Sequence, residues 1–243
     1  MYSIETKDLT KKFKEKTAVD GVDLKIKDGE LFALLGVNGA GKTTTIKMLS
    51  AILLPTEGSI TIGGMDMKTE SNKIKEILNI SPQETAIAPN LTVRENLEFI
   101  AGVYQIKKPT IKINEIVRMF RLEDVLKQKA KTLSGGWQRK VSIALSLIND
   151  PKVLFLDEPT LGLDVIARKE LWEIIEGLKG KMTTILTTHY MEEAEALSDR
   201  IGIMAEGRLI AVGTAEELKD MAGAESFEDA FVAIATGKAG DLK

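Results

Sequence analysis

The stretch LFALLGVNGAGKTT, residues 31–44, decides the fold. LFALL is continuously apolar, as a parallel strand buried on both faces requires. GVNGAGKTT, Gly36 to Thr44, matches G-x-x-x-x-G-K-[ST] and stands between that strand and a helical segment, the context in which such a loop cradles phosphate. The glycines let successive N–H groups point at phosphate oxygens, and the positive end of the following helix adds to the attraction. Gly36, Asn38, Gly39, Ala40, Gly41, Lys42, Thr43 and Thr44 are therefore the expected phosphate cradle. Lys42 reaches the distal phosphates, and the Thr43 hydroxyl is a ligand for Mg²⁺.

A second apolar run, KVLFL, ends in Asp157, Glu158 and Pro159. This puts Asp157 at the carboxyl edge of a parallel sheet, where open α/β sheets bind ligands. There Asp157 can hold Mg²⁺ directly or through water, and the differently directed Glu158 can polarise an attacking water. A third strand, TTILTT, leads into His189, the single histidine of the chain. In a parallel sheet its side chain emerges at the same edge as the two carboxylates.

Composition narrows the field. The chain has 243 residues, enough for one large domain or a core carrying an inserted subdomain. With 33 Lys+Arg against 36 Asp+Glu, it lacks the global basic field of a nucleic-acid binder, so no nucleic-acid partner is expected. There are no cysteines, which excludes disulfides and thiolate metal sites and fits a reducing cytosol. The segment MYSIETKDLTKKF has no apolar run of a signal peptide, and apolar stretches elsewhere are too short to span a bilayer. Membrane contact is thus expected only through another chain. NKIK at 72–75 lacks the Asp of the N-K-x-D motif that reads guanine, leaving ATPases and small-molecule kinases.

Along the chain, SIETKDL, VDLKI and SITIGG read as short strands. TVRENLEFIAGVY, KINEIVRMF and GWQRKVSIALSLIND carry helical spacing, predicting a mostly helical insertion over about 89–150. The α/β rhythm then returns. ARKELWEIIEGLKG is a helix with Leu171, Ile174, Ile175 and Leu178 on one face and Gly180 as its stop. RIGIM and RLIAVG form a hairpin turning at Glu206-Gly207, and Thr214 with Glu217 suits a capping box. Met48, Met119 and Met204 read as core filler, and Trp172 as packing.

TLSGGWQRK, Thr132 to Lys140, separates the remaining families. A Ser-Gly-Gly turn opening a helix is either a simple cap or a second anion site built from a hydroxyl and exposed N–H groups. Here the sequence resembles the ATP-binding cassette (ABC) family over essentially the whole chain. Leu133, Ser134, Gly135 and Gly136 match its signature loop, with Trp137 where Gln or Met is commoner. GVNGAGKTT matches its Walker A, VLFLDEP its Walker B with Glu158 as the catalytic carboxylate, and Gln83 in ISPQE its Q-loop. LGLD, ending at Asp164, is similar to the D-loop, and His189 stands at the switch histidine. Phe13 falls where the family stacks an aromatic, usually Tyr, on adenine, and keeps the π-face.

The resemblance implies a P-loop NTPase (RecA-like) α/β core with an antiparallel β subdomain and an inserted α-helical subdomain. The division is a core at about 1–88 and 151–220, helices at about 89–150 and a tail at 221–243, in one nucleotide-binding domain. It further implies a head-to-tail dimer, of identical chains or with a paired ABC ATPase subunit, with ATP held between the Walker A of one copy and the signature loop of the other. Mg²⁺ would be held by Thr43, Gln83 and Asp157, and catalysis would fall to Glu158, His189, Lys42 and Gln83. Compactness and the absence of heptads or cysteines favour a transporter ATPase joined to a separate membrane permease at the cytoplasmic face. The surface from about Gln83 to Val93 would meet that permease. HYMEEAEALSDRIGIMAEGRLIAVGT (189–214) and SFEDAFVAIATG (226–237) look like ABC-2-type exporters, with an importer subunit as the alternative.

Overall fold

The protein is described here by a computed structural model covering residues 1–237. In chain order its elements are β1 (Tyr2–Phe13), β2 (Lys16–Lys27), β3 (Leu31–Leu35), α1 (Lys42–Leu49), β4 (Glu57–Ile62), β5 (Met65–Asp66), α2 (Ser71–Ile77) and β6 (Leu78–Ser81). Helices α3 (Val93–Val103), α4 (Pro109–Phe120) and α5 (Gly135–Leu145) follow, then β7 (Val153–Asp157), α6 (Val165–Glu176), β8 (Thr183–Thr188) and α7 (Met191–Leu197). The hairpin β9 (Arg200–Ala205) and β10 (Arg208–Gly213) leads to α8 (Ala215–Ala222) and α9 (Phe227–Ala235).

Two sheets carry the fold. An antiparallel sheet runs β2-β1-β4-β5, and a six-stranded sheet runs β10-β9-β3-β8-β7-β6. In the second, β3, β6, β7, β8 and β9 are mutually parallel and β10 is antiparallel at one edge. The continuous apolar runs have a direct cause. Leu31, Ala33 and Leu35 of β3 face one core, while Phe32 and Leu34 face the other. On β7, Leu154 and Leu156 likewise oppose Val153 and Phe155. A strand that alternates between two dry layers favours apolar side chains at every position, and β8, between β3 and β7, meets the same burial with four small threonines. Helices α3 to α9 cover one face of this sheet, and the antiparallel sheet with α1 and α2 covers the other.

Most local readings find an element. The Thr92–Glu95 and Thr214–Glu217 pairs both form reciprocal capping boxes, and Glu206-Gly207 turns the β9–β10 hairpin with both residues at positive φ. Three departures are informative. Helix α6 ends at Glu176, before Gly180; Gly180 instead takes φ 72° in the following turn and donates its N–H to Gly29 O at 3.1 Å. Helix α2 and strand β6 carry no clear sequence signal: LNIS becomes a strand because β7 offers it a parallel backbone edge. The segment taken as a tail contains α9, whose Phe227, Ala230, Phe231 and Ile234 are buried in the helical-side core; residues 238–243 lie outside the described residues. Met48 and Met204 are fully buried, and Met119 is partly so. No helix among the described residues is long and apolar enough to cross a membrane.

A buried carboxylate ties three segments together. Glu193 on α7 is fully buried, and its Oε1 accepts hydrogen bonds from Thr160 Oγ1 at 2.7 Å and Trp172 Nε1 at 3.1 Å. Trp172 is thus a hydrogen-bond donor as well as packing. The Glu193 Oε2 has no partner among the described residues. Burial pushes this carboxyl above its usual value of 4.5. The folded state therefore holds the proton more tightly than the unfolded chain, and ionisation destabilises the fold as pH rises above that value. Glu193→Gln is uncharged throughout and keeps an acceptor for Thr160 and Trp172. Its melting temperature relative to wild type is expected to climb as pH rises above 4.5 in thermal scans. A difference independent of pH would contradict this.

Candidate active site

The carboxyl ends of three parallel strands form the site. Leu35 pairs with Thr188, and Asp157 pairs with Thr187, so the loops leaving β3, β7 and β8 start at one edge. The loop after β3 wraps tightly: Gly41 takes φ 102°, and a Cβ there would lie 2.6 Å from Ala18 O. A Cβ on Gly36 would lie 2.4 Å from Met204 O. Only glycine fits at these two places.

Lys42, at the start of α1, is 5% exposed and curls back into its own loop. Its Nζ donates to Gly36 O at 2.7 Å and Val37 O at 3.3 Å, and lies 3.5 Å from Glu158 Oε1. Burial pushes its ammonium pKa down, against the opposing pull of Glu158 and Asp157. Phosphate oxygens would supply the anionic partners that this buried ammonium obtains here from carbonyls and one carboxylate. Thr43 Oγ1 donates to Asp157 Oδ1 at 3.2 Å, and Thr187 Oγ1 donates to the same oxygen at 2.5 Å. A hydroxyl beside a buried carboxylate is a hard-oxygen donor set, which fits Mg²⁺ that keeps phosphate and water ligands.

Glu158 is 6% exposed and takes φ 48°, an uncommon conformation outside glycine. Its Oε2 is 2.7 Å from His189 Nδ1. His189 lies just past β8 and stacks on Tyr190 with ring centroids 4.1 Å apart. Lys42, Glu158 and His189 thus form one line of contacts in the lining of a cleft of about 540 Å³. Asn38, Gly39, Ala40, Gly41, Thr43, Thr44 and Gln83 also line that cleft. Such a volume is of the order that small-molecule sites use.

The structure adds walls to this cleft that the motifs did not name. Lys16, Thr17 and Ala18 of β2 and Glu206-Gly207 of the last hairpin line its far end. They are joined by Asp20 N to Gly207 O at 2.9 Å and Gly207 N to Ala40 O at 3.1 Å. The sequence marked Glu206-Gly207 only as a turn, and nothing local announces its contact with β2. Phe13 is not among the residues lining the cleft. It pairs with Lys16 at the end of the β1–β2 hairpin, is 46% exposed, and has the Lys11 ammonium 5.2 Å from its ring centroid.

Ser134, Gly135, Gly136 and Asp164 are not brought to this cleft. They line a separate concavity of about 500 Å³ together with Gly162 and Glu170. Ser134 caps α5, its Oγ accepting from Trp137 N at 3.5 Å. Asp164 caps α6, its Oδ1 accepting from Ile166 N and Ala167 N, both at 2.9 Å. A Cβ on Gly136 would approach Ala167 Cβ to 3.1 Å, which keeps the loop low against α6. Trp137 holds the Lys140 ammonium 4.6 Å from its ring centroid, and Lys140 pairs with Glu170. Beside this concavity Val165 and Ile166 are 64% and 73% exposed, an apolar surface with no cover in a single copy.

The ABC transporter family profile matches residues 19–161. The chain is 42% identical over 89% of its length to the probable multidrug ABC transporter ATP-binding protein YbhF of Escherichia coli, spanning 38% of that protein. It is 39% identical over 92% of its length to the linearmycin resistance ATP-binding protein LnrL of Bacillus subtilis, spanning 73% of it. Among solved structures, the ATP-binding subunit of an ABC transporter superposes with TM-score 0.85 at 30% identity, covering 95% of this chain and 98% of that one. A dimeric ATP-binding cassette in a post-hydrolysis state with ADP and Pi superposes with TM-score 0.78 at 27% identity, covering 87% and 98%. With a matched profile, relatives of this likeness and the same folded cassette, the chain belongs to the ABC transporter family.

Proposed function

We propose that this chain binds and hydrolyses ATP with Mg²⁺, as the nucleotide-binding part of an exporter that works through a membrane permease. One observation carries this reading. The Lys42 loop and the Ser134–Gly136 loop open into separate clefts that share no lining residue. A single nucleotide bound by one copy would use the Lys42 loop and leave Ser134–Gly136 idle. Two copies arranged head to tail would close each cleft with the other's signature loop, and the exposed Val165 and Ile166 would be covered between them. The dimeric cassette that holds ADP and Pi supports this arrangement.

The chemistry follows from the residues at the first cleft. Lys42 turns its ammonium from Gly36 O and Val37 O toward the β- and γ-phosphates and offsets charge that develops during transfer. Thr43 and Asp157 would hold Mg²⁺, with Gln83, which lines the same cleft, as a further ligand. When bound, the ion neutralises charge on the β- and γ-phosphate oxygens. Glu158 orients the attacking water and accepts its proton. His189, already bonded to Glu158, fixes the direction of that carboxylate and bonds the γ-phosphate. Phe13 offers its ring to adenine from the hairpin end, and Asp164 shapes the facing loop. The division into a core at about 1–88 and 151–220 and a helical unit at about 89–150 puts the two loops on different bodies. Closure can then depend on whether the γ-phosphate is still attached.

The relatives named for multidrug, linearmycin and daunorubicin resistance favour export of drug-like or antibiotic cargo. The chain would then sit at the cytoplasmic face, held by its permease. Co-purification with a permease whose compounds stimulate ATP turnover supports export, and a solute-binding protein in the complex assigns import instead. In steady-state assays Glu158→Gln is expected to lower kcat by about 10²–10⁴-fold while ATP binding persists. Wild-type turnover in this variant would remove Glu158 from the chemistry. His189→Ala is expected to lose both ATP turnover and transport, and full activity would return His189 to the role of bystander.

A further inference from the structure

Arg139, in the stretch TLSGGWQRK, is a buried cation to which the sequence assigned no role. It lies on α5, the helix opened by Ser134, and is 5% exposed. Among the described residues its side chain makes no ion pair within contact distance; its donors go to backbone carbonyls. Nε donates to Pro159 O at 2.8 Å and Nη2 to Asp157 O at 2.8 Å. Nη1 donates to Pro82 O at 2.5 Å and Gln83 O at 3.3 Å. The first two carbonyls flank Glu158, and the other two belong to the loop that presents Gln83. Burial pushes the guanidinium pKa down to about 10, with Asp157, Glu193 and Glu158 opposing the fall, so it is charged at neutral pH.

This placement meets a specific need. Glu158 sits at φ 48°, a strained backbone state for a non-glycine residue that persists only where surroundings over-determine it. Its own N–H donates to Thr187 O at 3.1 Å and Thr187 Oγ1 at 3.0 Å. Arg139 fixes the carbonyls on either side. The planar fork is what permits one side chain to reach two loops at once, and a lysine ammonium has neither the reach nor the fixed geometry.

We propose that Arg139 is a positioning residue: it locks Glu158 and the Gln83 loop to the signature-loop helix of the same chain. Seating Ser134–Gly136 on the nucleotide of a second copy would thereby set the catalytic geometry of this chain's own site, coupling the two sites. The proposal rests on the ATPase-dimer reading.

The test uses the full chain as Arg139→Lys, which keeps charge, and Arg139→Met, which removes every donor. Measured quantities are melting temperature, binding of a fluorescent ATP analogue, and kcat, KM and the Hill coefficient for Mg-ATP turnover. For Arg139→Lys, analogue binding and KM are expected to stay within about twofold. Its kcat is expected to fall about 10²-fold, the scale of a misplaced reacting group, and its Hill coefficient to move toward one. Arg139→Met is expected to lose more kcat with the same binding. Wild-type kcat in Arg139→Lys overturns the proposal. So does loss of binding in step with kcat, or failure of both variants to fold, since each assigns Arg139 a purely structural role. Wild-type turnover abolished by Glu158→Gln separates this failure from failure of the underlying reading; if wild type turns over no ATP, both fall.

Discussion

The in-register ends of β3, β8 and β7 govern everything at the site. Backbone pairing fixes Leu35 opposite Thr188 and Asp157 opposite Thr187. With the strands held between two apolar layers, a one-residue slip would turn every buried side chain of a strand toward the wrong layer. Register is therefore set by the core, and the polar residues that follow each strand inherit their places from it. The Lys42 loop, the two carboxylates and His189 meet because three buried strands stop at one level.

That edge concentrates charge where water is scarce. Lys42, Asp157, Glu158 and Arg139 are all nine-tenths or more buried. Isolated charges there would be strongly disfavoured, so each is partnered: Lys42 by carbonyls and Glu158, Asp157 by two threonines, Arg139 by four carbonyls. In a low-dielectric setting such prearranged groups act strongly on a bound polyphosphate. Several of these contacts substitute for ones a nucleotide would make. The curled Lys42 is the clearest case, since its carbonyl partners are those of its own phosphate loop.

The sequence made the strands and the phosphate loop legible for a physical reason. LFALL and VLFLD are uniform because both faces are dry, and the glycines of the loop stand where no Cβ fits. The capping box at Thr214 was equally readable, being set by residues three apart. What escaped was non-local. LNIS is a strand only because β7 lies beside it. The far wall of the cleft joins Ala18 to Gly207 across the chain, and Arg139 bonds carbonyls whose identity leaves no trace in side-chain pattern. Phe13 was placed by resemblance alone, and the hairpin sets it beyond the lining of the cleft. Gly180 misled because a stop signal beyond α6 serves a turn against Gly29.

The separation of the two loops makes the nucleotide site incomplete in one copy, which is the central claim. Sedimentation velocity of the Glu158→Gln chain, with ATP or ADP and Mg²⁺, tests it directly. The account predicts a monomer with ADP, a dimer with ATP, and loss of that dimer when Gly136→Asp is added, because the new carboxylate would face the γ-phosphate. A chain that binds ATP and remains monomeric, or a dimer indifferent to Gly136→Asp, would contradict it.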